Sequence, residues 1–212
     1  MTPIVVLGAG GHGRVVQELI RALGTFEIIG FLDQTAHAPH GDLVAPILGT
    51  DQLLPELRKS GLQHAFAAIG SNRVRELLGG KLRELEFIQP PLVHPSAFLA
   101  PSAKVQEGAL VMARGIVGTN VLLKAHAILN TSAVIDHDGV LESASHVAPG
   151  CALAGDVVVG PRTLVGVGTS IRPGIRIGAD VIVGAGSAVV DDIEDGACVG
   201  GAPARHLRTK NG

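Results

Sequence analysis

Residues 111–153 read VMARGIVGTNVLLKAHAILNTSAVIDHDGVLESASHVAPGCAL, with an aliphatic residue at every sixth position. The same spacing continues in both directions along the chain without a break. All seventeen positions hold Val, Leu or Ile: Val93, Leu99, Val105, Val111, Val117, Leu123, Leu129, Ile135, Leu141, Val147, Leu153, Val159, Val165, Ile171, Ile177, Val183 and Val189. The residue four positions later is usually small, as in Ala127, Ala133 and Gly139.

A six-residue aliphatic period is typical of a parallel β-helix. Each hexad forms one side of a triangular coil, so that three hexads complete a turn and the aliphatic residues stack along the axis. Each coil then rests only on its neighbours. An amphipathic α-helix is excluded, because its period is 3.6 residues and the many glycines would interrupt it. The hexads predict between five and six coils that end near residues 191–196.

The first 90 residues follow a different pattern, in which short apolar strands alternate with segments of helical spacing. The predicted strands are Ile4–Leu7, Glu27–Leu32 and Ala65–Ile69, and the predicted helices are Val15–Leu23, Thr50–Ser60 and a charged segment that ends near Leu85. This alternation predicts a small parallel sheet of the Rossmann-like α/β class. The Gln89-Pro90-Pro91 stretch marks the change of pattern, so we predict two domains, 1–90 and 91–212.

The composition excludes several classes of function. Lys and Arg are scattered and the net charge is −2, which argues against a nucleic-acid-binding surface. No apolar run reaches about 18 residues, so no membrane span is predicted, and the first residues lack the pattern of a signal peptide. Cys151 and Cys198 have no metal-binding spacing. We expect them to be small core residues of a protein in the reducing cytoplasm.

A glycine-rich loop, Gly8-x-Gly10-x-x-Gly13, lies between the first predicted strand and the first predicted helix. Glycines let a backbone approach phosphate closely, and the N-terminus of a helix favours negative charge. Asp33 follows twenty residues after Gly13, where a carboxylate is suited to accept ribose hydroxyls. The pattern fits a nucleotide diphosphate, NAD or a turn required only by packing. NAD is disfavoured, because the domain has room for about one mononucleotide-binding half.

His137 lies two residues after the inward-facing Ile135, so its side chain is predicted to project from the coil. Its neighbours Asp136 and Asp138 are both able to fix its tautomer. An imidazole is suited to accept a proton near neutral pH, although a solvated surface histidine is the alternative. Gly155 follows by 18 residues and is expected one coil above, at about 4.8 Å. Its missing side chain would leave a backbone N–H accessible to an oxyanion.

Four motifs resemble the family of sialic-acid O-acetyltransferases and nucleotide-4-amino-sugar N-acetyltransferases. They are Gly8-Ala9-Gly10-Gly11-His12-Gly13, Ala68-Ile69-Gly70-Ser71-Asn72-Arg73, Asn130-Thr131-Ser132-Ala133-Val134-Ile135-Asp136-His137-Asp138 and Gly201-Ala202-Pro203-Ala204-Arg205. The resemblance covers nearly the whole chain and implies a left-handed β-helix assembled as a homotrimer. It implies transfer of an acetyl group from acetyl-CoA to the 4-amino group of a nucleotide-linked sugar. O-acetylation of a sialic acid is the alternative within the family.

The resemblance also implies roles for individual residues of the β-helix. His137 would be the general base and Asp138 its acidic partner, with Asn130 and His146 at other active-site positions. Gly155 would donate to the oxyanion and also contact acetyl-CoA. The implied site of the nucleotide sugar consists of Gly8, Gly10, Gly11, His12, Gly13, Asp33, Gly70, Asn72 and Arg73.

Acetyl-CoA is the expected co-substrate, and no metal is expected. The resemblance implies that Val167 contacts the pantetheine arm through its backbone. Arg205, Arg208 and Lys210 are candidates to meet the CoA phosphates, although a solvated tail is equally consistent with the sequence. Cys151 falls at a small-residue position of the hexad and is expected to face inward. Direct transfer in a ternary complex is therefore expected rather than a covalent intermediate.

Two other classes of function stay open. A zinc-dependent lyase would require three converging histidines, for which His126, His137 and His146 are the candidates. Their spacings of 11 and 9 residues include no close pair. A non-catalytic scaffold or sugar-binding module would have the same fold without turnover of acetyl-CoA.

Overall fold

A computed structural model describes residues 1–35 and 43–207 of the 212-residue chain. The chain divides into two compact units, Met1–Pro95 and Ser96–Gly212. The division falls five residues after the boundary predicted from the sequence. None of the helices in the described ranges is long and apolar enough to cross a membrane.

The first unit contains a parallel sheet with the strand order β3-β2-β1-β4 and three helices. Its elements are β1 (Thr2–Leu7), α1 (Gly11–Leu23), β2 (Phe26–Leu32), β3 (Ile47–Gly49), a 3₁₀ turn (Asp51–Leu53), α2 (Leu54–Lys59), β4 (His64–Ala67), α3 (Asn72–Glu84) and β5 (Leu92–Val93). This confirms the predicted parallel sheet. The short strand β3 was not predicted, because three residues carry too little hydrophobic pattern to be distinguished from a loop.

The predicted helix Thr50–Ser60 is instead a 3₁₀ turn followed by the short helix α2. Thr50 caps the 3₁₀ turn as expected, since its Oγ1 accepts a hydrogen bond from the Gln52 N–H at 3.3 Å. Pro55 at the start of α2 has no N–H to donate, which suits the first turn of a helix. Val5, Leu7 and other sheet residues pack against helical leucines in a continuous core: Leu32, Leu54, Leu62, Ala65, Ala67, Leu82 and Phe87.

The second unit is the predicted left-handed parallel β-helix. Its strands are β6 (Phe98–Leu99), β7 (Lys104–Val105), β8 (Leu110–Val111), β9 (Ile116–Val117), β10 (Leu122–Leu123), β11 (Ile128–Leu129), β12 (Val134–Ile135), β13 (Val140–Leu141), β14 (His146–Val147), β15 (Ala152–Leu153), β16 (Val158–Val159), β17 (Leu164–Val165), β18 (Ser170–Ile171), β19 (Arg176–Ile177), β20 (Ile182–Val183), β21 (Ala188–Val189), β22 (Cys198–Gly200) and β23 (Arg205–His206). From β6 to β18, each two-residue strand pairs in parallel with the strand 18 residues later, as Ile135 does with Leu153.

The strands form three faces. The first face contains β6, β9, β12, β15, β18 and β21, the second contains β7, β10, β13, β16 and β19, and the third contains β8, β11, β14, β17, β20, β22 and β23. The second residue of each strand from β6 to β21 is the hexad aliphatic residue, and from Val111 to Val189 all of these are buried. Leu99 and Val105 are only partly buried, because they belong to the first coil, which has a coil on one side only.

Three edges join these faces. We call the turns 118–121, 136–139 and 154–157 the His137 edge, and the turns 130–133, 148–151 and 166–169 the Asn130 edge. The distal edge comprises the turns 124–127, 142–145, 160–163 and 178–181. In the turns from Gly108 to Gly186, the third residue after the aliphatic position has a positive φ, whether it is glycine or a residue such as Asn120 (58°) or Asp138 (57°). This backbone conformation turns the chain from one face to the next.

The β-helix continues beyond the end predicted near residues 191–196. Ile193 forms a bridge to Ile177, and β22 pairs with β20. In this last coil the paired residues are 16 apart rather than 18, as with Val183 and Val199. The shortened turn breaks the hexad pattern in the sequence while the coil itself persists. The following strand β23 then pairs with β22 in the antiparallel direction.

Candidate functional site

His137 stands on the His137 edge, directly after β12, and its side chain is 58% exposed. Its Nδ1 lies 2.9 Å from Asp138 Oδ2. A carboxylate only accepts hydrogen bonds, so Nδ1 carries the proton and Nε2 keeps its lone pair. The other oxygen of the same carboxylate, Asp138 Oδ1, accepts a hydrogen bond from Asn120 Nδ2 at 3.1 Å. The three side chains therefore form a continuous chain of hydrogen bonds that ends at a lone pair.

The surroundings of His137 stabilise its protonated form. The hydrogen bond to Asp138 raises the pKa of His137 above its ordinary value, and the negative charges of Asp136, Asp138 and Asp156 add to this increase. The pKa of Asp138 is lowered, first by its hydrogen bond with His137 and then by that with Asn120. The carboxylate is thus ionised whenever the imidazole takes up a proton, which is the arrangement that a general base requires.

Gly155 lies one coil further along the β-helix than His137, and the His137 ring packs directly against it. A Cβ at Gly155 would lie 2.3 Å from both Cε1 and Nε2 of His137, which is closer than any real contact. The imidazole occupies this place only because residue 155 has no side chain. The ring and the backbone of Gly155 are therefore held against each other.

Gly155 is buried against the His137 ring, and a local difference in sequence leaves its N–H without the side-chain acceptor found in other turns. At the same position of other turns, the preceding residue caps the N–H: Asn130 Oδ1 accepts from Thr131 N, and Asp136 Oδ1 accepts from His137 N, each at 2.8 Å. The side chain of Ala154, which precedes Gly155, carries no hydrogen-bond acceptor. The Gly155 N–H makes no hydrogen bond to any described residue. It is therefore suited to stabilise an oxyanion beside the His137 ring.

Asn130, which begins the Asn130 edge, and His146, the first residue of β14 on the third face, form a second group. Asn130 Nδ2 donates to His146 Nε2 at 3.0 Å, because the Oδ1 atom of the same amide is fixed by the N–H of Thr131. Along the chain, strand β12 separates Asn130 from His137, and strand β13 lies between His137 and His146. The structure therefore places the predicted catalytic residues in two groups, one on each side of the first face. His137, Asp138 and Gly155 are together, whereas Asn130 and His146 are apart from them.

The residues predicted to contact acetyl-CoA lie at separate places in the β-helix. Val167 stands on the Asn130 edge with more than half of its side chain exposed, and its carbonyl accepts the N–H of Gly186 at 2.8 Å. Arg205 is exposed in β23, where it donates to Ala204 O at 2.9 Å and lies 3.5 Å from Asp191 Oδ2. Arg208 and Lys210 fall outside the described residues.

The glycines of the loop after β1 divide into two pairs. A Cβ at Gly13 would lie 2.0 Å from Gly8 O, and one at Gly8 would lie 2.6 Å from Ala68 O, so both positions require glycine for packing. A Cβ at Gly10 or Gly11 would meet no atom within 4 Å. Packing therefore does not explain this second pair. Gly11 is the first residue of α1, and the open space before it is where an anion would approach the helix N-terminus.

Asp33 follows β2 and holds the glycine-rich loop. Its Oδ2 accepts a hydrogen bond from the N–H of Ala9 at 2.7 Å, and its Oδ1 accepts from Thr35 N and Oγ1 at 2.9 and 2.8 Å. Partial burial opposes ionisation of Asp33, but these hydrogen bonds outweigh it and lower the pKa of the carboxyl. The carboxylate has further lone pairs for ribose hydroxyls, which was its predicted role.

Helix α3, which follows β4, contains a buried cation that the sequence pattern did not indicate. Arg75 is 1% exposed, and its guanidinium donates to Ile69 O at 2.9 Å, to Gly70 O at 3.3 Å and to Asn72 Oδ1 at 2.8 Å. Burial lowers the pKa of Arg75 to about 10, so it stays charged at neutral pH. Asn72 supports this buried cation, whereas the predicted Arg73 is exposed. An arginine on a charged helix gives no sequence signal of burial.

His12 lies in the first turn of α1. Burial, reinforced by the positive charge of Arg75, lowers the pKa of His12 to about 4. The imidazole is therefore neutral in the physiological range. Together with the open space at Gly11, the loop presents backbone N–H groups and a nearby buried cation, which suits an anionic ligand such as a diphosphate.

The two cysteines and His126, the third histidine considered for a zinc site, differ in burial. Cys151 is buried as expected, and its thiol donates to Gly166 O at 3.1 Å. Burial raises the pKa of this thiol, which keeps it protonated. Cys198 is only half-buried, so the prediction of a core position was wrong for it. His126 is buried on the distal edge. Over residues 1–35 and 43–207, no three His, Cys, Asp or Glu side chains form a group able to hold a metal ion.

A family model described as the PglD N-terminal domain matches residues 3–82. Among curated proteins, UDP-N-acetylbacillosamine N-acetyltransferase of Bacillus subtilis (strain 168) is 38% identical to this chain over 116 residues. The alignment covers 53% of the chain and 52% of the relative. The match thus spans about half the length of that curated protein.

Solved structures match over almost the whole chain. A variant of perosamine N-acetyltransferase from Caulobacter crescentus, in complex with CoA and GDP-perosamine, is 41% identical with a TM-score of 0.94, covering 99% of this chain and 98% of that one. The acetyltransferase domain of PglB from Neisseria gonorrhoeae FA1090, in complex with acetyl coenzyme A, is 36% identical with a TM-score of 0.89. In that case 97% of this chain and 98% of the other are covered.

Proposed function

Because the chain belongs to the family of sugar N-acetyltransferases that includes perosamine N-acetyltransferase, we propose that it acetylates the 4-amino group of a nucleotide-linked amino-deoxy sugar, with acetyl-CoA as the donor. The observation that carries the proposal is the arrangement of His137, Asp138 and Gly155. It combines a base with a free lone pair, a carboxylate that stabilises the protonated base, and a glycine that packs against the same ring and whose N–H has no acceptor among the described residues.

In the proposed reaction, the sugar amine attacks the carbonyl carbon of the acetyl thioester, and a C–N bond forms. His137 Nε2 takes the proton that the amine loses. The Gly155 N–H donates to the oxyanion of the tetrahedral intermediate. The intermediate then expels the thiolate of CoA as the C–S bond breaks, and the imidazolium returns its proton to that sulfur. The products are the amide and free CoA.

Direct transfer is supported by the surroundings of Cys151. An acyl-enzyme would require an accessible thiolate, but the Cys151 thiol is buried, has a raised pKa and donates to a backbone carbonyl. We therefore assign no covalent intermediate. For acetyl-CoA itself, we propose that Gly155 and Val167 contact the thioester and pantetheine through their backbones and that Arg205 meets the phosphates. The enzyme is proposed to act in the cytoplasm.

We assign the nucleotide part of the sugar substrate to the first unit. The open space before Gly11 at the N-terminus of α1 suits a diphosphate, and Asp33 suits a ribose. A relative that acts on a UDP-linked sugar and a solved structure that contains GDP-perosamine support the same class of substrate. They favour N-acetylation over the O-acetylation of a sialic acid.

The proposal is tested by measuring CoA release with a thiol reagent. Acetyl-CoA is incubated with a panel of UDP-, GDP- and dTDP-linked 4-amino sugars and with sialic acid. We expect turnover with at least one of the amino sugars and none with sialic acid. Turnover of sialic acid alone would overturn the assignment in favour of O-acetylation, and no turnover with any acceptor would favour a binding module.

The diphosphate site is tested by Gly11→Asp. A side chain at Gly11 meets no atom within 4 Å, so the fold should tolerate it, while the new carboxylate would repel a diphosphate at the helix N-terminus. We expect the Kd for the nucleotide sugar, measured by calorimetry, to rise at least about tenfold while that for acetyl-CoA stays unchanged. The isosteric but neutral Gly11→Asn is the matched control. Equal weakening by both variants would attribute the effect to shape rather than charge.

A homotrimer is proposed because the two groups of predicted catalytic residues lie on different edges of one chain. A second copy would bring its Asn130 edge to the His137 edge of the first and complete the site. The first face, which lies between these edges, exposes the apolar side chains of Phe98 (58%) and Ile116 (40%). Burial of such side chains favours association.

We therefore expect sedimentation equilibrium to give three times the chain mass of 21.7 kDa. Ile116→Lys is expected to shift the species toward the monomer and to lower activity together with it. A fully active monomer at micromolar concentration would contradict both the assembly and the shared site.

A further inference from the structure

Asn120 lies one coil before Asp138, 18 residues earlier in the chain and at the same position of the turn. Both residues have a positive φ, 58° and 57°, so their side chains leave the backbone in the same way on successive coils. The N–H of Asn120 donates to Ser102 Oγ at 2.9 Å, and the N–H of Asp138 donates to Thr119 O at 2.8 Å. Backbone contacts thus fix the base of each side chain.

The amide of Asn120 provides the second of two bonds that determine the plane of the Asp138 carboxylate. His137 Nδ1 bonds to Oδ2 at 2.9 Å, and Asn120 Nδ2 donates to Oδ1 at 3.1 Å. A carboxylate with one partner rotates freely about its last bond, and more than half of this side chain is exposed to competing water. With both oxygens held, the carboxylate stays aimed at the imidazole.

We propose that Asn120 is a positioning residue for His137, acting through Asp138. The inference rests on the proposed function, since it assigns Asn120 to the base of that reaction. Asn120 does not touch the reacting atoms. It orients the carboxylate that selects the tautomer of His137 and keeps the ring in place against Gly155.

A neutral donor is suited to this role. Asp136, Asp138 and Asp156 surround His137 with negative charge, and Arg176 Nη2 binds Asp156 Oδ1 at 3.0 Å. Arg176 thereby offsets part of the charge of Asp156. A cation at position 120 would do the same to Asp138 and weaken its support of the imidazolium. An amide fixes the carboxylate without removing its charge.

Two substitutions remove the donor while keeping the backbone conformation, since both Gly and Asp accept a positive φ. Asn120→Gly leaves Asp138 unsupported, so we expect kcat to fall about tenfold with KM unchanged for both substrates. The pKa of His137 should move down toward its ordinary value, because the hydrogen bond to Asp138 is the largest cause of its increase. Asn120→Asp adds a negative charge beside Asp138, so the pKa of His137 should move up.

The matched control is Asp180→Gly. Asp180 also has a positive φ (55°) and a side-chain bond to a neighbouring coil, through Arg162, but it lies on the distal edge. We expect its kcat and pH profile to equal those of the wild type. The pKa of His137 is followed both in the pH dependence of kcat and by NMR titration of the ring in the substrate-free protein, with the signal assigned through His137→Ala.

Opposite shifts of the His137 pKa in the two Asn120 variants support the inference. Unshifted titrations, or a wild-type kcat for Asn120→Gly, would overturn it. The NMR titration needs no substrate, so it decides the role of Asn120 even if no acceptor is turned over. Failure to release CoA with any acceptor would count against the proposed function instead.

Discussion

Replacement of His137 by alanine is expected to lower kcat by about 10²–10⁴, the usual contribution of a general base. KM for acetyl-CoA should change little, because the proposed contacts with the thioester come from backbone groups. The melting temperature should stay near that of the wild type, since the side chain projects from the coil and the buried Ile135 stack is untouched. Steady-state kinetics with both substrates and a thermal melt provide these measurements.

The pH profile gives a second measurement of the same variant. The base must be neutral to accept a proton, so the wild-type rate should rise as pH increases through the pKa of His137. Because the bond to Asp138 and the nearby carboxylates raise this pKa, the rise should occur above pH 6.5. His137→Ala should lack it. Asp138→Asn is expected to show an intermediate loss, because the imidazole keeps its lone pair but loses the charge that stabilises its protonated form. Near wild-type turnover by His137→Ala would contradict the assignment and direct attention to His146.

Gly155→Ala is expected to lower kcat by about 10²-fold while leaving the fold intact. The added Cβ would lie 2.3 Å from the His137 ring, and the exposed ring is free to swing away and relieve the clash. Displacement of a catalytic group by about 1 Å is enough for a loss of this size. Circular dichroism and a thermal melt should match those of the wild type, because the atoms that move belong to a surface side chain.

A double-mutant cycle with His137→Ala distinguishes two causes of that loss, displacement of the ring and blocking of the Gly155 N–H. If the methyl group acts by moving the ring, Gly155→Ala should have almost no further effect once the ring is absent. If it acts by blocking the N–H, the two losses should multiply. Wild-type activity of Gly155→Ala would show that catalysis does not require the His137 ring to lie against Gly155.

The hexad period predicted the β-helix because each inward position must be aliphatic to fill a single stack of residues. The same arithmetic placed Gly155 above His137, since 18 residues make one coil. It would also have found Asn120, which is one coil below Asp138, had the spacing been applied in the other direction. Side-chain positions on the turns of a solenoid are therefore readable from sequence whenever the coil length is constant.

Other features could not be predicted in this way. The last coil is two residues shorter, so its pairing of Val183 with Val199 has no signature in the period. The burial of Arg75 depends on the carbonyls of Ile69 and Gly70, which a pattern of residue types does not reveal. The glycine-rich motif alone did not separate Gly8 and Gly13, which packing requires, from Gly10 and Gly11, which it does not.

Each hexad directs its aliphatic residue inward, whereas the residue two positions later can project into solvent, as Ile135 and His137 illustrate. Different positions of the six-residue repeat therefore determine the fold and the candidate active site. Under the proposed function, substitutions at the outward turn positions would change contacts with the acceptor without any compensating change among the inward residues. Related enzymes with this fold would then differ in the acceptors that they bind, while their melting temperatures stay nearly equal.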